Sequence, residues 1–396
     1  MLGLSPDFRR IFVVDLIVRT AYQMGKTPVL PLFAAAIGAG HMLTGSIVAV
    51  STLTGLVLKP LFGALSDRWG RRLWFFIALC VFTFTPFLYW FVTSPEQLFA
   101  LRLFHGTATA IFGPVTLAVV AEMDRAHQAT RLGWFDLARE GGYLIAPALA
   151  GGLLTVMPPE QVFVVIGFVS AVAFLPALRM GFATPPIQAA AQRPGLWRQF
   201  SAGLAFTISR IALWYANALE IAVYTITYGI KAFLPLFVLQ DAKLGVFAAG
   251  LFFTVQEAAH MLSRPVGGWL GDRIGFAYSI AGGMALIAMA LMALPGVSAE
   301  SALLAVAVVS GIGMGLIFPS TIALVGGAVS AGGHLGLGMG VYGSCKNLGK
   351  VAGPLVSGAL LQAVSYTVLF QGMAVAMACA AGIVVLSYHQ RLRRAA

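Results

Sequence analysis

Charge is scarce in this chain: 10% of its 396 residues are Asp, Glu, Lys or Arg, 59% are apolar, and mean hydropathy is +0.89. Soluble domains carry roughly 25% charged residues, so a solvated surface is excluded and the chain reads as an integral membrane protein. Cysteine is scarcer still. Cys80, Cys345 and Cys379 fall inside apolar runs without ligand spacing, which argues against a disulfide framework and a metal centre. No Gly-x-x-x-x-Gly-Lys-Ser/Thr loop is present, so ATP is not expected to drive anything here. No His/Cys/carboxylate cluster and no nucleophile elbow appears, so the chain is read as not an enzyme, with no cofactor. Basic residues outnumber acids 25 to 14, but no basic-aromatic groove outside the apolar runs supports nucleic-acid binding. The first apolar run lacks a small-residue cleavage site and continues past Pro28 and Pro31, so it is expected to remain as a helix.

What is present is a sentence written twice. Gly63-Ala-Leu-Ser-Asp67-Arg68-Trp-Gly70-Arg71-Arg72 returns as Gly268-Trp-Leu-Gly-Asp272-Arg273-Ile-Gly275, at an offset of 205 residues (63 to 268), each copy between two long apolar runs. A half-chain period in an apolar sequence signals a transporter built from two parallel repeats. At about 20 apolar residues per crossing, twelve spans are predicted: near 9–37, 41–64, 71–93, 96–122, 131–156 and 160–181, then 212–239, 245–268, 275–296, 300–328, 334–362 and 366–388. The expected organisation is a six-helix bundle over 1–182, a cytoplasmic linker over 183–211, and a second six-helix bundle over 212–396. Within the linker Trp197, Phe200, Leu204 and Ile208 recur at helical spacing, the mark of an amphipathic helix. Basic residues crowd one set of loops and tails, among them Arg9, Arg10, Arg68, Arg71, Arg72, Arg125, Arg131, Arg179, Arg273 and Arg391, against Lys243 on the other side. Both termini are therefore expected to be cytoplasmic.

Chemistry must come from ionisable groups inside the spans, each of which costs about 3 kcal/mol at a helix centre. Asp15, Arg19, Tyr22 and Lys26 lie at i, i+4, i+7 and i+11 in the first span, and Glu220, Tyr224, Thr227 and Lys231 repeat that spacing in the seventh. The repeated stripe predicts that both helices line one cavity. Asp136, Arg139 and Glu140 in the fifth span, with Arg264 just before the second motif, are expected to gate. Glu257 and His260 lie one turn apart in the eighth span, and either could carry a coupling proton. Lys346 and Lys350 add positive charge in the eleventh. Basic groups in the spans exceed acids, so the expected cargo is anionic or amphiphilic. The small residues and prolines of Gly142/Ala146-Pro147 and Gly349/Gly353-Pro354 predict tightly packed fifth and eleventh spans.

The whole chain resembles the major facilitator superfamily, and within it the twelve-span drug:proton antiporters. Gly63, Asp67, Arg68, Gly70, Arg71 and Arg72 match that family's cytoplasmic gating loop, whose charges the resemblance implies latch the two halves in one access state; Gly268, Asp272 and Arg273 form the second copy. Phe276 stands there in place of a basic residue. Arg102 with Gly106 resembles the proton-linked Arg-x-x-x-Gly signature, and Gly142/Ala146-Pro147 resembles the antiporter motif. The implied fold is an all-α membrane protein of twelve transmembrane helices in two pseudo-symmetric bundles. The function expected is a proton-driven antiporter exporting a small organic molecule by alternating access. Asp15, Arg102, Glu220 and Glu257 are assigned to proton coupling, and Arg19, Tyr22, Lys26, Tyr224, Lys231, His260 and Lys346 to substrate. The partners expected are substrate, protons and the bilayer, with the chain a monomer in a bacterial cytoplasmic membrane. A symporter importing an organic anion or metal chelate, and a lipid flippase, are the alternative readings.

Overall fold

The structure, a computed structural model, describes residues 5–123, 128–182, 211–330 and 335–395, with side chains outside 128–130, 211–215, 326–330, 335–341 and 390–395. The linker stripe Trp197 to Ile208 and the side chains of Arg125 and Arg391 lie outside the described residues. Every regular element among the described residues is a helix. Apolar runs of this length must satisfy their own backbone hydrogen bonds in lipid, and a helix does so within one segment.

The chain divides into two compact units, Met1–Pro194 and Gly195–Ala396. The first unit holds Pro6–Met24 continued through Gly25–Val29 into Leu30–Ala36 (the first span), His41–Trp69, Arg71–Leu88, Pro95–Met123, Gln128–Leu154, and Pro159–Val172 with Phe174–Ala177. The second holds Ile211–Gln240 (the seventh), Val246–Ile274, Phe276–Ala293, Glu300–Ser330, Leu335–Leu360 and Tyr366–Ala395. Among the described residues 8 of these are long and apolar enough to cross a membrane by length and composition. The other four, the first, fifth, eighth and eleventh, are the ones that carry most of the ionisable groups singled out above.

Packing repeats as the sequence does. In the first unit the first helix packs on the fifth, the second on the fourth, and the third on the fourth and sixth; in the second unit the seventh packs on the eleventh, the eighth on the tenth, and the ninth on the tenth and twelfth. The closest approaches are made by small residues. A Cβ on Gly142 would sit 2.9 Å from Arg19 Cβ and 3.0 Å from the Thr20 amide, and one on Gly349 would sit 2.7 Å from the Ile221 carbonyl and 2.8 Å from Tyr224 Cβ. Arg19 and Tyr224 are equivalent at 205, but Gly142 and Gly349 are equivalent at 207. The offset between the repeats is therefore 205 up to the tenth helix and 207 in the eleventh, the register in which Gly142/Ala146-Pro147 meets Gly349/Gly353-Pro354.

Local chemistry sets the helix ends. Ser5 Oγ accepts from the Phe8 amide at 3.3 Å, with Pro6 at the first helical position. Ser94 Oγ accepts from the Gln97 amide at 3.3 Å while Gln97 Oε1 takes the Thr93 amide at 2.9 Å, a reciprocal cap on the fourth helix. Asp7 Oδ1 receives Arg10 Nη1 at 2.7 Å and the Gly181 amide at 3.3 Å, and Arg10 Nη1 also reaches the Arg179 carbonyl at 2.7 Å, tying the start of the first helix to the end of the sixth. The core of this unit is aromatic, with Phe8, Phe75, Phe82 and Phe112 buried together and Phe75 stacked on Phe112 at 5.8 Å.

Candidate functional site

The duplicated motif is less a loop than a helix end. His41–Trp69 has 29 residues, so it is about 44 Å long at 1.5 Å per residue and overruns a hydrocarbon core of roughly 30 Å. Gly63 to Trp69 stay helical, and the turn is made at Gly70, whose φ of +90° lies where a side chain is strained; Gly275 does the same at +100°. Beyond the turn, Arg71 folds back. Its Nη2 lies 3.3 Å from Asp67 Oδ1 and 2.6 Å from Glu122 Oε1 on the fourth helix. Glu122 was not singled out from the sequence, since a lone acid at a helix end carries no periodic signal. Arg68 and Arg72 are exposed, as are Asp272 and Arg273, with the Arg273 guanidinium 5.2 Å over the Trp269 ring. Glu122→Gln should lower thermal stability by about 1 kcal/mol, a modest figure because Glu122 is 30% exposed. A melting curve superimposable on wild type would remove this contact from the stability of the turn.

Arg102, 1% exposed, is the most enclosed cation among the described residues of the first unit. Its Nη2 donates to Ser51 Oγ at 2.7 Å and to Tyr22 Oη at 3.4 Å, and Nη1 donates to Tyr89 Oη at 3.4 Å. Tyr22 in turn donates to Ser51 Oγ at 3.1 Å, and Gly106 lets the fourth helix approach Ser51 on the second. The cage is made of hydroxyls. Among the described residues no carboxylate lies within ion-pair distance of Arg102. The structure thus draws Tyr22 to Arg102, and Lys26 to Thr52 Oγ1 at 3.0 Å. Immediately after Lys26 the first span leaves helical geometry at Thr27 (φ −148°, ψ 119°), ahead of Pro28.

Asp15, fully buried, accepts from Arg19 Nε at 3.4 Å, and its Oδ2 has no partner among the described residues. Arg139 also acts on it electrostatically while pairing with Asp136 and, at 3.8 Å, with Glu140 on its own helix.

The equivalent acid in the second unit is held differently. Glu220, fully buried, accepts on Oε1 from Thr321 at 2.7 Å and from Tyr342, while Oε2 has no partner among the described residues. Neither hydroxyl was named from the sequence, although Thr321 matches Thr116 at 205, a signal that could have found it. Glu257 Oε1 lies 3.0 Å from His260 Nδ1, and Arg264 Nε lies 3.2 Å from His260 Nε2. An arginine only donates, so Nε2 accepts, the ring hydrogen sits on Nδ1, and His260 donates to Glu257.

Lysines and ring faces complete this unit. Lys346 Nζ stands 4.9 Å over Tyr224 and 5.8 Å over Phe318, Lys350 Nζ 5.3 Å over Tyr224 and 5.1 Å over Tyr228, and Lys231 Nζ 5.3 Å over Tyr228. Lys231 acts electrostatically on Glu257, and Lys346 and Lys350 act on Glu220. In the 207 register Lys346 is the counterpart of Arg139. The acids beside Arg139, Asp136 and Glu140, are replaced in that register by Gly343 and Asn347. The described residues hold no group of three or more His, Cys, Asp or Glu able to bind a metal ion.

Comparison with known proteins agrees with this architecture. The chain is 25% identical over 368 residues to Multidrug resistance protein 1 of Bacillus subtilis, covering 89% of this chain and 90% of that protein. It is 24% identical over 353 residues to the Multi-drug resistance efflux pump PmrA homolog of Lactococcus lactis, covering 87% and 86%. Among solved structures it superposes on the nucleoside transporter NupG with a TM-score of 0.79 at 13% identity, covering 96% of this chain and 98% of that one. A bacterial homolog of the human lysosomal transporter Spinster, inward-facing and unoccupied, gives 0.73 at 13% identity over 97% and 96%. The Major Facilitator Superfamily model matches residues 16–298 and 216–395. With twelve helices in two like units and that match along nearly its whole length, this chain belongs to the Major Facilitator Superfamily of membrane transporters.

Proposed function

We propose that the protein is a proton-driven antiporter that exports an organic anion by alternating access. The observation that carries the reading is the exchange of charge between equivalent helices. Arg139 has two acids on its own helix, whereas Lys346 and Lys350 occupy a helix whose equivalent positions are Gly343 and Asn347. In the second unit Lys231, Arg264, Lys346 and Lys350 stand against Glu220 and Glu257, so the spans keep a positive excess however the groups pair. In a low-dielectric bundle such an excess attracts an anion. Tyr224 and Tyr228 offer flat apolar faces, which favours an aromatic one. The similarity to an efflux pump of Lactococcus lactis supports the outward direction.

Of the acids, Glu220 suits the coupling proton best. Its direct partners are hydroxyls, which can turn to accept as readily as donate, while Asp15 is bonded to a guanidinium. Arg102 sets the coupling, and in the second unit Lys231 and Lys346 contact the cargo. The distribution of basic residues supports cytoplasmic termini, and the bacterial relatives support a cytoplasmic membrane.

Everted vesicles with an acidic lumen test this reading. A radiolabelled aryl sulfonate, charged at every working pH, should accumulate inside, while ethidium should not. Lys346→Gln should raise the KM for the sulfonate about tenfold, the scale of one charge-assisted contact. Accumulation only when the gradient is reversed would mean symport, and accumulation of ethidium alone would overturn the anion assignment.

A further inference from the structure

We propose that His105 is a positioning residue for Arg102, acting through Tyr89; the inference rests on the coupling role given to Arg102 above. His105 lies one turn beyond Arg102 on the fourth helix and is 2% exposed. Tyr89, fully buried in the short turn Tyr89–Phe91, is stacked on Phe163 with centroids 3.9 Å apart and planes 8° from parallel. Arg102 Nη1 donates to Tyr89 Oη at 3.4 Å, and Tyr89 Oη lies 3.1 Å from His105 Nδ1. Because arginine cannot accept, the Tyr89 hydroxyl is the acceptor toward Arg102, and in the proposed arrangement it turns its own hydrogen to Nδ1. That arrangement puts the ring hydrogen of His105 on Nε2, a buried atom with no hydrogen-bond partner among the described residues, and leaves Nδ1 to accept. The bonds run one way, Arg102 to Tyr89 to His105, and each polarises the next.

The ring has little freedom to turn. Tyr22 meets it edge-on at 5.4 Å and 89°, and Phe82 at 5.9 Å. The titratable and charged groups facing this cluster are Arg102 from its own helix, Tyr22 from the first helix with Lys26 acting on it, and Tyr89 from the turn after the third. A second observation supports the pairing. At 205, Ala307 replaces Arg102 and Ser310 replaces His105, and Ser310 Oγ accepts from Gln256 Nε2 at 2.9 Å. Where the arginine is absent, the histidine is absent too. An apolar side chain at 105 would free the Tyr89 hydroxyl to rotate and so loosen one of the three hydroxyl contacts that seat the guanidinium.

The full-length protein in bilayers, with isotope-labelled histidine, gives a readout that needs no substrate. Each of the six histidines can be assigned by single substitution in solid-state NMR. His105 should show hydrogen on Nε2 and an accepting Nδ1, and Tyr89→Phe should remove the acceptor signature. Hydrogen on Nδ1, or a spectrum indifferent to Tyr89→Phe, would overturn the proposal. In everted vesicles, His105→Leu and Tyr89→Phe should each lower gradient-driven aryl sulfonate uptake about tenfold, the scale of a hydrogen bond to a charged group. KM and downhill exchange should stay within about twofold. His105→Asn, whose Oδ1 can stand for Nδ1, should restore at least half of the uptake. Unchanged uptake in His105→Leu, or Asn no better than Leu, refutes the positioning role. Arg102→Ala run in parallel separates the two claims: loss there with His105→Leu intact sinks this inference alone, and retained uptake there sinks the coupling role beneath it. A wild type that does not carry the sulfonate overturns the cargo proposed above and leaves the NMR outcome to decide His105.

Discussion

Arg102→Ala should abolish uphill transport, with gradient-driven uptake falling at least about 100-fold while cargo-dependent thermal stabilisation is kept. Each hydrogen bond to a charged group is worth about 1.5–3 kcal/mol, and the guanidinium joins Ser51 of the second helix, Tyr22 of the first and Tyr89 after the third. Losing it removes the fork that holds three separate segments around a buried charge. Arg102→Lys should recover little, because one ammonium cannot reach hydroxyls on three sides as a planar fork does. Binding should survive, since the lysines assigned to the cargo are not among the partners of Arg102. Uptake against the gradient at the wild-type rate in Arg102→Ala would strike Arg102 from the mechanism.

The second large effect is on folding. Gly349→Ala should destabilise the protein by about 2 kcal/mol, because the new Cβ would lie 2.7 Å from the Ile221 carbonyl, and overpacked contacts cost about 1–3 kcal/mol. A side chain could swing aside, but a helical backbone yields only if the seventh and eleventh helices separate. Gly142→Ala should behave alike against Thr20. Gly372→Ala is the control, because a Cβ there meets nothing within 4 Å; removing a helical glycine should gain up to about 1 kcal/mol. Thermal denaturation in detergent followed by size-exclusion chromatography reads all three. Equal melting of the Gly349 and Gly372 variants would mean that the helices do not meet as closely as described.

The change at Gly349 also shows why the two repeats are not copies in detail. The acid in the first unit sits under a guanidinium, Arg19, and the equivalent of Arg19 is Tyr224. Glu220 has turned instead to Thr321 and Tyr342 on neighbouring helices. One ancestral stripe has become a salt-bridged acid in one unit and a hydroxyl-held acid beside lysines in the other.

Hydropathy, the repeated motif and the 3.6-residue period were enough to identify a membrane protein of twelve helices in two like bundles, because each of those signals is local to a single helix. The same signals marked Asp15, Arg102, Glu220, Glu257 and the lysines, since an ionisable group in an apolar run stands out without any neighbour. Partners were another matter. Glu122 beside Arg71, Tyr342 on Glu220, and His105 behind Tyr89 became visible only in three dimensions, whereas Thr321 had a repeat signal in Thr116 but no indication of its partner. Which side chains meet depends on how far each helix is rotated and shifted along its neighbour. That is decided where Gly142 and Gly349 let backbones touch, and a shift of two residues in one repeat changes every contact after it.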